Sequence, residues 1–220
     1  IAHEVGAKLI ADCTATPPSM TRALELGADI SFHSATKYLN GHSDITAGVL
    51  SVKETGQFWD DIAMVRKLQG TVLHSQDAWL LIRGMRTLFL RVERSCKNAM
   101  AIAMHFEGHP HIEAVLYPGL ASDLGHEVAK RQTGGQFGGM MSIIIKGTEQ
   151  TAIDVTRFCE LFYPATSLGG VESLVEHRKT VSGEGFPVHP RLLRLSIGIE
   201  EADDLIYDLE QALARACGEL

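Results

Sequence analysis

Three short apolar runs near the start of the chain constrain its fold most: Leu9-Ile10-Ala11, Ala28 to Phe32, and Ile45 to Val52. Each is strand-length, and turn-forming residues separate each from the next. Between the first two, Thr14-Ala15-Thr16-Pro17-Pro18 turns the chain, and Met20 to Leu26 reads as a short helix closed by Gly27. Strand, helix, strand at this spacing is an α/β pattern with a parallel component. Open sheets of that kind place ligands at the carboxyl ends of their strands. Asp12 ends the first run, and Lys37 lies just beyond the second.

Further along, Lys53 to Leu68 reads as helix, broken by Gln69-Gly70. Gln76 to His105 reads as one long helix, with Leu81, Ile82, Met85, Leu88, Val92, Cys96, Ala99 and Ala103 on a recurring spacing. A helix this long commonly carries the chain out of one domain, which sets a boundary near residue 90. The remainder reads as α+β. It comprises strand Ile112 to Tyr117, helix Asp123 to Arg131, strand Met140 to Ile145, helix Thr148 to Leu161, strand Leu192 to Ser196 and closing helix Glu201 to Leu220.

Composition narrows the partners. A net charge of -7 with no basic run argues against nucleic acid, whose phosphates need clustered Lys and Arg. No signal peptide opens the chain, and no apolar stretch reaches the roughly 18 residues of a spanning helix, so no membrane partner is expected. Cys13, Cys96, Cys159 and Cys217 are far apart with no CxxC pair, which suits reduced thiols in a cytoplasmic protein.

The stretch Ser34-Ala35-Thr36-Lys37-Tyr38-Leu39-Asn40-Gly41-His42-Ser43-Asp44 sets a lysine between two hydroxyl residues at a strand end. A partly desolvated amine there loses its proton more easily and can form a Schiff base with a carbonyl; the alternative is a solvated surface lysine. The strand-helix-strand reading brings Asp12 to the same sheet edge. The two residues are then either a structural ion pair or the pair that pyridoxal phosphate requires. In the second case the lysine takes the aldehyde and the acid keeps the pyridine nitrogen protonated. Ser34 and Thr36 offer hydroxyls to a phosphate, or to turn hydrogen bonds. Arg194, alone in an apolar strand pattern, needs an anion: a ligand carboxylate or a structural acid.

Other motifs fail on spacing. Gly41-His42-Ser43-Asp44 has Ile45 where a nucleophile elbow needs glycine, which leaves a hydrolase built on Ser43 without support. His105, His109 and His111 form no HExxH, and the glycines between 134 and 139 precede a strand instead of joining strand to helix.

His33 to Asp44 resembles the lysine signature of the Cys/Met-metabolism pyridoxal-phosphate enzymes, the trans-sulfuration family of cystathionine γ-synthase, cystathionine γ- and β-lyases and methionine γ-lyase. Further blocks resemble that family in its order: Leu24 to Asp29, Asp77 to Met85, Tyr117-Pro118-Gly119-Leu120, Ser167 to Leu174, and Arg194-Leu195-Ser196-Ile197-Gly198. The resemblance implies the carboxyl-terminal part of an aminotransferase-like (fold type I) large domain over 1-90, followed by a smaller α+β domain over 91-220. It implies pyridoxal 5'-phosphate as cofactor, with Lys37 as its Schiff-base lysine and proton shuttle, Asp12 at the pyridinium nitrogen, and Ser34 and Thr36 on the phosphate. Ser167 and Arg194 would bind the α-carboxylate of a sulfur amino acid, for elimination or replacement at Cβ or Cγ. A homotetramer, a dimer of dimers with active sites at subunit interfaces, is implied as well.

The chain departs from the pattern at three places. Cys13 stands where the family usually has Asn, Thr166 where γ-synthases and γ-lyases often have Glu, and Arg178 in Glu176-His177-Arg178 where Pro is frequent. The family's amino-terminal half supplies a ring-stacking aromatic, a phosphate-binding helix start, and Tyr and Arg given to the neighbouring subunit; these 220 residues hold none of them. The expectation is therefore a poor or inactive enzyme from these residues alone. The alternative is a non-catalytic piece acting only within a subunit.

Overall fold

The computed structural model describes residues 1–183 and 185–219. It divides into two compact units, Ile1–Leu88 and Phe89–Leu220. The fold is α/β.

In the first unit β1 (Ile10–Asp12), β2 (Ile30–Ser34) and β3 (Gly48–Ser51) form a sheet in the order β1-β2-β3. β1 runs parallel to β2, with Asp12 opposite Phe32, and β3 returns antiparallel to β2. The connection between the parallel strands differs from the expected helix. Met20 to Leu26 is a series of turns, with the Leu26 and Glu25 N–H groups bonded to the Arg22 carbonyl. Two prolines immediately upstream and the left-handed Gly27 (φ 102°) leave too few residues to repay helix nucleation. Helix α1 (Gln57–Gln69) starts four residues later than the sequence suggests and stops at Gly70, whose φ of 69° suits glycine.

The long helix is two helices, α2 (Ser75–Met85) and α3 (Leu88–Phe106). At the break the Arg86 and Thr87 N–H groups reach carbonyls three residues back, on Arg83 and Gly84, and the Thr87 hydroxyl also donates to Gly84 (3.2 Å). That tighter turn ends the α-helical register although the apolar spacing runs through it.

The second unit is built on a five-stranded sheet of order β4-β5-β8-β7-β6. Its strands are β4 (Ile112–Leu116), β5 (Met140–Ile145), β6 (Tyr163–Pro164), β7 (Leu174–His177) and β8 (Leu192–Ser196). All neighbours are antiparallel except β6 and β7. Helices α4 (His126–Thr133), α5 (Glu149–Phe158), α6 (Arg178–Ser182) and α7 (Ala202–Cys217) complete it with α3. Alternation along β5 turns Met141, Ile143 and Ile145 inward, where they meet Ile102 and Phe106 of α3 and Leu205 and Leu209 of α7. Each such side chain stabilises the fold by about 1.5–3 kcal/mol relative to exposure. Leu220, the expected end of the last helix, lies outside the described residues. β6, β7 and α6 have no counterpart in the sequence reading. β7 is buried at all four positions, so it lacks the alternation that marks a strand.

Candidate cofactor and substrate sites

In the first unit, β1 delivers Asp12 and β2 delivers Ser34 to one edge of the sheet, because the two strands are parallel and in register. Beyond Ser34 the chain folds into a tight series of turns carrying Thr36 and Lys37. The Lys37 N–H bonds Ser34 (3.1 Å), the Asn40 N–H bonds Ala35 (3.0 Å) and the Gly41 N–H bonds the Lys37 carbonyl (2.7 Å). Lys37 is half-buried on a backbone fixed on both sides. Asn40, in the same turn, lies against Gly84 of α2. A Cβ built there would lie 2.3 Å from the Asn40 carbonyl oxygen, so the helix packs directly on the lysine turn.

Asp12 is exposed at its strand end, and its Oδ1 accepts the Thr14 N–H (2.9 Å). The Thr14 hydroxyl and this backbone bond hold the carboxyl below the usual range, with a further contribution from His33 and against a small burial penalty. Thr14 Oγ1 also accepts the Ser34 N–H (2.8 Å), so one threonine joins the acid to the strand end that precedes the lysine. No motif in the sequence marks Thr14; the signal was its place at the end of β1, opposite the end of β2. Cys13 is buried, its N–H bonded to Phe32.

Ser34 is half-buried, and its hydroxyl has no hydrogen-bond partner among the described residues. Thr36 is different: its Oγ1 accepts the Ala47 N–H (3.0 Å) and contacts the Ala47 carbonyl (3.4 Å). An unspent hydroxyl, an ionised carboxylate and a lysine at one sheet edge fit a cofactor with a phosphate, a basic ring nitrogen and an aldehyde.

His33 is buried on β2, and burial lowers its imidazole pKa against the raising effects of Asp12 and the Cys13 backbone. A base whose folded pKa is lowered is stabilising above its unfolded value of about 6.5 and loses that contribution as pH falls through it. Thermal melts should therefore show the first unit weakening from about pH 6.5 downward. His33→Gln should flatten this slope, and an unchanged slope would remove His33 as its source.

In the second unit β8 carries Arg194 opposite Glu176 of β7. Arg194 Nε meets Glu176 Oε1 at 2.8 Å, and Nη2 donates to the Ser167 carbonyl at 3.0 Å. Burial pulls the guanidinium pKa down, Glu176 raises it and Arg178 lowers it. Ser167 has a φ of 122°, a strained value for a residue with a side chain. Its loop is held from behind: Gly169 N–H donates to Ser196 Oγ (3.0 Å), Ser173 Oγ donates to Glu200 (2.8 Å), and Gly198 N–H donates to Ser173 Oγ (2.8 Å). The structure thus brings Ser167 and Arg194 together, and Asp12, Ser34, Thr36 and Lys37 together, each group within its own unit. Elsewhere, His105 and His109 both contact Glu210 (2.6 and 3.2 Å), and His111 contacts Glu219 (3.1 Å).

Residues 1–214 match the family described as Cys/Met metabolism PLP-dependent enzyme. The chain belongs to this family. Within this Cys/Met-metabolism family it is 43% identical over 212 residues to cystathionine γ-synthase of Mycobacterium tuberculosis, covering 94% of this chain and 54% of that protein. It is 42% identical over 221 residues to cystathionine β-lyase of Coxiella burnetii, covering 97% and 57%. Among solved structures, the cystathionine γ-synthase of Xanthomonas oryzae pv. oryzae, in complex with aminoacrylate and cysteine, superposes with a TM-score of 0.94. That match has 37% identity and covers 100% of this chain and 58% of the other. The chain spans about half the length of these family members.

Proposed function

We propose that these residues belong to a pyridoxal 5'-phosphate-dependent trans-sulfuration enzyme that eliminates or replaces a group at Cβ or Cγ of a sulfur amino acid. The observation that carries the reading is the convergence of Asp12, Ser34 and Lys37 at the ends of two adjacent parallel strands, with the acid held ionised. When bound, the cofactor supplies an electron sink for charge developing at the substrate's Cα.

The residues of this chain do the rest. Lys37 would hold the cofactor at its aldehyde carbon, and its free Nζ would carry a proton between substrate atoms. The Asp12 carboxylate would pair with the ring nitrogen, and Ser34 Oγ would donate to the phosphate. Thr36 would hold the same phosphate, its hydroxyl turning from Ala47. Arg194 and Ser167 orient the substrate by its α-carboxylate. In this reading the first unit is the carboxyl-terminal portion of a fold type I large domain, the second is the smaller domain, and the protein works as a dimer of dimers. The alternative is a non-catalytic variant, in which these residues act only as a subunit piece.

The test is optical. Purified protein mixed with pyridoxal 5'-phosphate should show a bound visible band that Lys37→Ala abolishes and Asp12→Asn weakens about tenfold or more in affinity, the scale of a lost charge-assisted contact. A band retained in Lys37→Ala would exclude the proposed attachment. A band without ammonia and keto-acid release from cystathionine, methionine or cysteine would favour the non-catalytic variant.

A further inference from the structure

Arg194 does not meet its carboxylate alone. Arg178, the first residue of α6, places Nη1 3.0 Å from the same Glu176 Oε1 that Arg194 Nε contacts at 2.8 Å. Glu176 is buried, with its side chain 3% exposed, whereas Arg194 and Arg178 are 23% and 37% exposed. Two guanidiniums therefore share one oxygen of one buried acid. The other oxygen, Oε2, is buried and has no hydrogen-bond partner among the described residues.

This arrangement changes what Arg194 offers a ligand. At 2.8 Å its charge is largely neutralised by Glu176, and an incoming carboxylate competing for it would strip a buried acid of its partner. Leaving a buried charge uncompensated is among the costliest changes in a protein interior. A second guanidinium on the same oxygen removes that penalty, because Glu176 stays paired while Arg194 turns part of its fork to a ligand. The trio has an excess of one positive charge, which matches one carboxylate.

We propose that Arg178 is a second arm of the carboxylate anchor, supplying the unspent positive charge that lets Arg194 bind a single ligand carboxylate while Glu176 remains compensated. The inference rests on the reading of Arg194 as the substrate anchor and adds a residue that the family pattern does not mark. The ligand class is a monocarboxylate, the α-carboxylate of an amino acid. The depression of the Arg194 pKa by Arg178 agrees with two cations facing one site.

The test uses the cofactor-loaded protein and two probes titrated by calorimetry. L-norleucine carries the carboxylate and no leaving group; pentylamine is the same skeleton without the carboxylate. Arg178→Gln should weaken norleucine by about tenfold, the effect of one nearby charge in a half-screened site, and leave pentylamine within about twofold. Arg178→Lys should restore most of the loss, because it returns the charge without the planar fork. Glu176→Gln should act in the opposite direction and tighten norleucine. If Arg194→Gln weakens norleucine selectively but Arg178→Gln does not, the second arm is wrong and the anchor stands. If Arg194→Gln also leaves the norleucine-to-pentylamine ratio unchanged, the anchor reading itself fails. An Arg178→Gln loss shared equally by both probes is a structural effect and likewise overturns the proposal.

Discussion

Replacing Gly84 by alanine is expected to destabilise the first unit and cripple the lysine site, although helix propensity alone argues for the reverse. Gly84 lies inside α2, where alanine is favoured over glycine by about 1 kcal/mol. The added Cβ, however, would sit 2.3 Å from the Asn40 carbonyl oxygen, 3.1 Å from its carbon and 3.2 Å from its Cα. All three atoms are backbone, so no side chain can rotate away. Overpacking of this kind costs about 1–3 kcal/mol, and a backbone-to-backbone clash belongs at the upper end. The steric term wins. Relief comes from moving either α2 or the turn between Ala35 and Gly41, which carries Lys37. We expect Gly84→Ala to lower the urea midpoint and to weaken pyridoxal 5'-phosphate binding by about tenfold or more. Gly48→Ala is the matched control, since its Cβ would meet only the Phe32 ring at 3.8 Å. Equal stability of Gly84→Ala and wild type would show that the helix does not press on the lysine turn.

The second large effect is expected at Asp208 in α7, whose side chain is buried. Its Oδ1 accepts the Glu160 N–H (2.7 Å), and its Oδ2 accepts those of Leu161 (2.8 Å) and Phe162 (3.0 Å). One carboxylate thus terminates the link between α5 and β6, three successive donors that no strand or helix satisfies. Asp208→Ala leaves the buried Phe162 donor and two partly buried ones without an acceptor. With about 1–3 kcal/mol for each fully buried orphan and less for the others, the loss should be about 3 kcal/mol. Asp208→Asn keeps the shape but turns an amide N–H towards donors, and should recover less than half. Urea unfolding of the second unit measures both. A loss under about 1 kcal/mol would mean that water takes over these groups.

Much of this was legible in the chain itself. Met140 to Ile145 and Leu192 to Ser196 are strands with the expected limits, because each alternates or concentrates apolar residues between turn-formers. Asp12 ends β1 at the sheet edge where β2 leads into the lysine turn, because the two strands are parallel, as the first two runs implied. What escaped depends on contacts between segments distant in sequence. Gly84 looks like an ordinary interruption of a helical pattern until Asn40 is packed against it. Thr14 joins Asp12 to Ser34 through one hydroxyl, a relation visible only once the strands are in register. Arg194 was open between a ligand carboxylate and a structural acid. Its pairing with Glu176 depends on β7, a strand whose uniform burial hides it from periodicity. Met20 to Leu26 failed the other way, with helix-forming residues in a connection too short and too rich in proline to use them.

We propose that the amine of Lys37, and no other, takes the cofactor's aldehyde. Borohydride reduction of the protein incubated with pyridoxal 5'-phosphate, followed by peptide mass mapping, tests it most directly. The reduced pyridoxyl mass is expected on the peptide containing Lys37, at one group per chain. Its appearance on Lys8, Lys53 or another surface lysine instead, or on none, would overturn the assignment of Lys37.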